Sequence, residues 1–358
     1  MEFKEITNIN QFNNILATKK EISSKEEVVD GVTVVIISYQ VEMQDTFNGD
    51  LAKECRGIVF RKDTGECICR PLHKFFNVGQ KSFTDPKYIN WDKIQYVGVK
   101  SDGSMGTPVL INDKVFWKSK KTFYSDIAIA MQKVYEGWSE EDKEELMIVL
   151  KNGYTPIYEY VAPDNQVVIF YDKPELVYLH DRNIKTGQYN SNAMFLKNPW
   201  IGMTKEEIIN YVSDLKDVEG FVFYDNKHWY KLKTKWYLER HKCLVDLTPK
   251  TIANLYLDNS FDDVIGAMKQ YGFDDRAQNL KFYYNELNKR FGVILDNIQT
   301  TLEQLKKEYQ GVELRKEIAK QQFCGLLFTL LDDKDIFKAT REFVAKEFRL
   351  KNKNQLLR

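Results

Sequence analysis

The chain has 358 residues, of which 29% are charged and 43% hydrophobic, which excludes a disordered or fibrous protein and predicts a soluble globular one of about two domains. Its 52 basic residues balance 52 acidic ones, so no overall field announces a nucleic-acid partner, although a local patch can supply one. No apolar run is long enough to span a membrane, and Met1 to Glu5 lacks the basic and apolar regions of a signal peptide, so a cytoplasmic protein is expected. The five cysteines (Cys55, Cys67, Cys69, Cys243 and Cys324) are odd in number and without metal spacing, which predicts reduced thiols. His73, His180, His228 and His241 form no metal motif.

In chain order, apolar spacing predicts an opening helix over Phe3 to Leu16, then a β-branched strand over Val32 to Val41. Ile58 to Phe60 and Glu66 to Arg70 read as a hairpin about a turn at Lys62 to Gly65. Arg70 to Asn77 is extended, because the residue before a proline is pushed out of the helical region. Ile94 to Val99 is a buried strand, and Val109 to Ile111 pairs with Val115 to Lys118. Helices follow over Phe123 to Glu136 and Glu140 to Lys151, the second capped by Ser139, with acidic residues in its first turn. Strands are expected over Tyr154 to Val161, Gln166 to Tyr171 and Leu176 to His180. A helix capped by Thr204 comes next, then strands over Val218 to Tyr224 and Trp229 to Leu232. After about Leu247 alternation gives way to amphipathic helices over Pro249 to Leu257, Asp262 to Tyr271, Asp275 to Tyr309, Val312 to Leu331 and Lys334 to Leu350. The fold class is therefore α+β, built on antiparallel sheets with flanking helices over residues 1–245, followed by an all-helical domain over 246–358.

One stretch draws the rest together. Lys100-Ser101-Asp102-Gly103-Ser104 places a primary amine at the end of a strand, before a turn of small and polar residues. Such an amine is a nucleophile if cations or desolvation lower its pKa, and Gly103 lets backbone approach a ligand. The same pattern also fits an exposed lysine at a hairpin. Four further stretches set charge where strands should be apolar: Arg56 before Gly57, Glu159 within Ile157 to Val161, Glu219 before Gly220-Phe221-Val222, and Lys231 with Lys233 on one strand face. Each alone also fits an ion pair or a solvated strand face; two same-face lysines beside apolar neighbours are costly unless an anion joins them. Together they suit attack on a nucleoside triphosphate, which needs a lysine nucleophile, cations on the α-phosphate, carboxylates for a divalent metal and an aromatic for the base. A phosphate loop and a dinucleotide fingerprint are both absent.

The ordered series Lys100-x-Asp102-Gly103-Ser104, Glu159-Tyr160-Val161-Ala162-Pro163, Glu219-Gly220-Phe221-Val222 and Lys231-Leu232-Lys233 resembles the motifs of covalent nucleotidyltransferases. Glu54-Cys55-Arg56-Gly57-Ile58, Arg70-Pro71 through Asn77, Trp117 to Lys120, and Trp236-Tyr237 narrow the resemblance to the phage tRNA-repair RNA ligase 1 family, over about residues 35 to 241. The resemblance implies that Lys100 forms a covalent lysyl-adenylate. It implies that Tyr39, Arg56 and Lys74 contact ATP, Phe76 stacks on adenine, and Asp102 and Gly103 shape the nucleotide pocket. Lys120 would reach phosphate, Glu159 and Glu219 would serve the ribose, the metal or both, and Lys231 and Lys233 would bind the α-phosphate and leaving pyrophosphate. Tyr237 is a family position without a role read from the sequence. Asp262 is the nearest match to the family's carboxylate-linked metal position, though an acidic pair at a helix N-terminus explains it equally well. The chain departs from the family at Lys120-Lys121-Thr122, where Lys-Gly-Ser is usual.

The activity so implied is an ATP-dependent RNA ligase that joins 5′-phosphate and 3′-hydroxyl ends with magnesium or manganese, through the lysyl-AMP and an RNA-adenylate. Its RNA would be a tRNA broken in the anticodon loop, handed on by an end-healing kinase and phosphatase; the protein would be a monomer without membrane contact, in the cytoplasm of an infected host if phage-encoded. The rivals are a DNA ligase or GTP-using capping enzyme, disfavoured by the helical C-terminal part, and a non-catalytic RNA-binding scaffold. Lys346, Arg349, Lys351 and Lys353 are candidate phosphate contacts in the helical domain.

Overall fold

The computed structural model describes residues 3–43, 45–165, 168–190, 198–240, 247–270 and 273–352. The chain divides into two compact units, 1–241 and 242–358.

The described residues of the first unit form three four-stranded sheets. The first joins β1 (Ile22–Val29), β2 (Val32–Tyr39), β3 (Arg56–Arg61) and β4 (Cys67–Cys69) in that order, all antiparallel. The β1 strand was not expected from the sequence, because its centre, Ser24-Lys25-Glu26, is solvent-exposed and polar on both faces. The second sheet has the order β10 (Glu175–Asn183), β9 (Tyr154–Val161), β7 (Ser104–Ile111), β8 (Lys114–Lys118). Against it pack α3 (Asp126–Glu136) and α4 (Glu140–Lys151), through a core that includes Trp117, Met131, Leu146, Leu150 and Tyr158. Ser125 and Ser139 cap these helices by accepting from Ala128 and Asp142 backbone N–H groups. The third sheet runs β5 (Phe76–Asn77), β12 (Trp229–Lys233), β11 (Gly220–Tyr224), β6 (Tyr96–Lys100), with only the β5–β12 pair parallel. One face of it, with Phe221, Phe223, Tyr230 and Leu232, buries Ile208 and Val212 of α5 (Lys205–Asp214). Strand alternation then turns Lys100, Lys231 and Lys233 to the opposite face.

Two expectations in the first unit need correction. Residues 3 to 8 are not helical: Asn8 bridges Glu66 of the first sheet and caps a short 3-10 turn over Ile9–Phe12, so α1 spans only Asn13–Thr18. Residues 168–171 are not a strand; the backbone N–H groups of Val168 and Ile169 are taken by the Asp102 carboxylate instead of a ladder, and Gln166 lies outside the described residues. Two short helices, α2 (Asp50–Glu54) and α6 (Lys235–Arg240), went unforeseen.

The described residues of the second unit form α7 (Pro249–Leu257), α8 (Phe261–Gln270), α9 (Asp274–Glu308), α10 (Gly311–Ala319), α11 (Cys324–Leu331) and α12 (Ile336–Lys351). The α9 helix has 35 residues and a length of about 52 Å at 1.5 Å per residue. Its Arg290 makes a paired 2.8 Å contact with both Glu347 oxygens of α12. The single helix expected over Val312 to Leu331 is broken, because Phe323 adopts a left-handed conformation at φ +64° between α10 and α11. Among the described residues no helix is long and apolar enough to cross a membrane.

Candidate active site

Lys100 is the last residue of β6, and Ser104 opens β7 in a different sheet. The lysine therefore ends no hairpin; it stands where the chain passes from the third sheet to the second. Gly220 is the register partner of both Lys100 and Lys233. It holds φ +152°, and a Cβ there would lie 2.1 Å from the Leu232 carbonyl oxygen, so the position requires glycine. The preceding residue, Glu219, is buried between the two amines: Lys100 Nζ is 2.8 Å from one carboxylate oxygen and Lys233 Nζ is 2.8 Å from the other. Burial opposes the charged form of Glu219, yet the two ammonium groups outweigh it and hold the carboxyl below the usual range. Lys100 keeps 21% of its side chain exposed, whereas Lys233 keeps 6%.

The turn beyond Lys100 is fixed by Asp102. One of its oxygens accepts from the backbone N–H groups of Val168 and Ile169 at 2.7 and 2.8 Å; the other accepts from the Tyr237 hydroxyl at 2.7 Å. Its own N–H donates to the Tyr171 hydroxyl at 3.1 Å. Gly103 passes so near β9 that a Cβ would sit 2.2 Å from the Tyr160 carbonyl oxygen. Tyr237 packs its ring against Lys233, whose Nζ lies 4.8 Å from the centroid. The structure thus gives Tyr237 a place the sequence did not: it ties α6 to both the Asp102 turn and the second lysine. Glu159, on β9, has its carboxyl pushed up to about 7 by burial, with Glu219 and Asp102 adding to the push and Lys100 and Arg56 opposing it.

A second group gathers about Tyr39. Lys120 Nζ lies 3.9 Å and Lys74 Nζ 5.6 Å from its ring centroid. Burial alone would raise the phenol; Lys120, Lys74 and Arg56 outweigh it and bring it down to about 7. Burial in turn lowers the Lys120 amine to about 8. Arg56 enters β3 at a bulge, where Ile37 pairs with Ile58 but Ser38 pairs with Arg56, leaving Gly57 extra at φ +96°. The guanidinium lies 5.8 Å over Phe75, and Lys231 Nζ approaches the same ring at 5.4 Å. Phe76 is buried against Phe47 and Phe83, with Lys74 and Lys81 at 5.4 and 5.2 Å from its ring.

The first unit therefore holds Tyr39, Arg56, Lys74, Phe76, Lys100, Asp102, Gly103, Lys120, Glu159, Glu219, Lys231, Lys233 and Tyr237. Asp262 lies in the second unit, in the first turn of α8 beside Asp263. Sequence reasoning missed several residues. Glu42 is buried and binds the ammonium groups of Lys74 and Lys81. Lys118 is wholly buried and donates to the Gly57 carbonyl at 3.0 Å, holding the bulge. Glu54 is clamped by two fully buried arginines: Arg70 reaches it at 2.9 and 3.3 Å and Arg182 at 2.7 Å on each oxygen. Glu54 and Lys118 stood within the stretches that carried the resemblance but without a role; nothing local joins Glu54 to Arg182, which is 128 residues away.

Among the described residues no three His, Cys, Asp or Glu side chains are gathered to hold a metal ion. Both Glu219 oxygens are taken by lysines and both Asp102 oxygens by N–H and O–H donors. The donors present fit a divalent ion that brings phosphate oxygens with it and needs one or two carboxylates, Glu159 first.

A half-open lysine, a carboxylate held by two lysines and a nest of cations around a buried tyrosine have the chemistry that nucleotidyl transfer needs. A family model described as RNA ligase matches residues 54–237, and the chain belongs to this family, the phage-type RNA ligase 1 enzymes. A putative RNA ligase of Thermovibrio ammonificans is 27% identical over 84% of this chain and 84% of its own length. RNA ligase 1 of Bacteriophage TS2126 is 25% identical over 67% of this chain and 64% of its own. A solved archaeal ATP-dependent RNA ligase, form 1, is 13% identical, covers 79% of either chain and superposes with a TM-score of 0.47.

Proposed function

We propose that this RNA ligase uses ATP and works through a covalent lysyl-AMP on Lys100. The observation that carries the reading is the Lys100–Glu219–Lys233 arrangement, with both amines 2.8 Å from one buried carboxylate at the Gly220 register. Lys100 loses its proton to solvent, to which its side chain is open, and its nitrogen attacks the α-phosphorus of ATP. The N–P bond forms as the bond to pyrophosphate breaks. Lys231 and Lys233 stabilise the charge that builds on the transferred phosphate and the leaving group. Asp102 and Gly103 hold the nucleophile's turn, while Tyr39, Arg56, Lys74, Phe76 and Lys120 receive the nucleotide. A divalent ion, magnesium or manganese, supplies charge neutralisation at the phosphates and would be held by Glu159. The assignment of Asp262 to a metal rests on family resemblance alone.

The adenylate then passes to an RNA 5′-phosphate, and a 3′-hydroxyl attacks to seal the strand and release AMP. The acceptor we propose is a tRNA broken in its anticodon loop, after kinase and phosphatase have healed its ends, with the second unit choosing the substrate and Lys346, Arg349 and Lys351 meeting phosphate. Lys353 lies outside the described residues. The helices of the second unit speak against a DNA ligase or capping enzyme, whose corresponding domain is β-rich.

The test incubates the protein with ATP labelled on the α-phosphate and a divalent metal, then denatures it. Label on the wild type and none on Lys100→Ala is expected. An unlabelled wild type, after bound AMP has been stripped with pyrophosphate and GTP has also been tried, refutes the mechanism. Preference for nicked tRNA over a single strand of equal length tests the acceptor.

A further inference from the structure

The face of the second sheet that carries Tyr158 is, by strand alternation, opposite to the one that carries Glu159. On it lies a cleft of about 640 Å³ between α3, α4, β9 and β10 that the ligation chemistry does not use. A β-bulge shapes it. Tyr178 pairs with Tyr158, but His180 pairs with Ile157 and Asp181 with Pro156, so Leu179 is the extra residue. Without the bulge, alternation would turn His180 to the cleft; with it, Asp181 takes that side and His180 joins Tyr96, Tyr189 and Trp229 on the other.

Asp181 is 7% exposed. Its Oδ1 is buried and has no hydrogen-bond partner. A buried acceptor left unpaired keeps the full cost of its lost hydration, and a charged one more, so a donor arriving there is favoured. Aromatic rings wall the same cleft: Trp138 and Tyr178 lie 5.8 and 5.5 Å, centroid to centroid, from Tyr158. Asp142 and Glu145 line it from α4 and Glu175 from β10; among the described lining residues the single lysine, Lys173, leaves four carboxylates against one ammonium. Ring faces beside carboxylates attract an organic cation, and a concave cleft of this size suits a small molecule. A bare metal ion would want clustered oxygens, and no such cluster exists among the described residues.

We propose that this cleft binds a linear polyamine, one ammonium meeting Asp181 Oδ1 and the rings of Tyr158 and Tyr178, and the next meeting Asp142 and Glu145. The site is independent of the adenylation chemistry and stands whichever RNA is sealed.

Calorimetric titration of the full chain with spermidine, without RNA or ATP, tests it. Saturable binding to the wild type is expected, at least tenfold weaker in Asp181→Asn and unchanged in Glu313→Gln of the second unit. Retained labelling by ATP shows that Asp181→Asn is folded; if it is not, Asp142→Asn, on the exposed helix face, must show the weakening. Three results overturn the cleft as a site for any organic cation: no saturable binding to the wild type, equal binding by the folded cleft variants, or displacement by magnesium chloride at matched ionic strength. Equal affinity for lysine amide, which mimics a protein side chain, overturns the polyamine as occupant.

Discussion

Two buried glutamates in the first unit each face two cations, and their difference separates scaffold from chemistry. Glu54 meets Arg70 and Arg182, both wholly buried; Arg70 also donates to the carbonyls of Lys4 and Lys185, and Arg182 to those of Pro71 and Gly187. Glu219 meets Lys100 and Lys233, whose compact ammonium groups sit on flexible stems, one of them partly open to solvent. A guanidinium never gives up its proton at ordinary pH and grips a carboxylate with two parallel bonds, whereas an ammonium can deprotonate and attack. The same two-to-one charge pattern is therefore a clamp in one place and, in the mechanism proposed above, a poised nucleophile in the other. Ala52-Lys53-Glu54 leads directly into the Arg56 bulge, so the clamp also fixes where Arg56 enters the site.

The sharpest break of this comparison exchanges the cation types. Lys100→Arg keeps a positive partner for Glu219 but leaves nothing that can attack phosphorus, so labelling by ATP should fall to background while the thermal midpoint stays near the wild type. Next in size, Glu219→Gln releases both lysines from their common anchor and should slow adenylation by about 100-fold, read as single-turnover label transfer. Glu54→Gln should do the reverse. It leaves two buried guanidinium groups without a counter-charge and should cost about 3–5 kcal/mol in urea denaturation, far more than Glu219→Gln.

The pH dependence follows from the same pair. Burial opposes ionisation of Glu54, but Arg182 and Arg70 bring its carboxyl down to about 2, from 4.5 in an unfolded chain. Ionised Glu54 therefore contributes stability that is fully present above about 4.5 and is lost as the pH falls toward 2. The stability gap between wild type and Glu54→Gln should close over that window in acid titration, and a gap independent of pH would contradict the clamp. The smallest effect concerns Tyr39. Wild type should show a phenolate absorbance step near pH 7 that Tyr39→Phe lacks.

The site was legible wherever its signal was local. A lysine ending a strand, a Glu-Gly pair before an apolar run and two lysines at a spacing of two are all readable from neighbours, because strand periodicity alone puts Lys231 and Lys233 on one face. Ser139 and Thr204 were likewise readable as caps. What escaped depends on distant partners. Arg182 looks like an ordinary strand residue until the fold brings Glu54 to it, and the Tyr237–Asp102 bond spans 135 residues. Residues 168–171 have strand-forming side chains, but the N–H groups of Val168 and Ile169 are taken by a carboxylate that periodicity cannot see. The break at Phe323 puts a phenylalanine in the left-handed region, and the nearest glycine, Gly325, lies inside α11 rather than at the turn.

One consequence of Gly220 reaches beyond this chain. Lys100, Glu219 and Lys233, the proposed nucleophile, its carboxylate and its cationic helper, are related through strand pairing rather than through loops, since Lys100 and Lys233 meet on either side of one glycine. A slip of a single residue in β11 would turn its side chains to the opposite face. Anyone wishing to graft this chemistry onto another scaffold would therefore have to transplant three adjoining strands in their alignment; a borrowed loop carrying Lys-x-Asp-Gly would arrive without its partners.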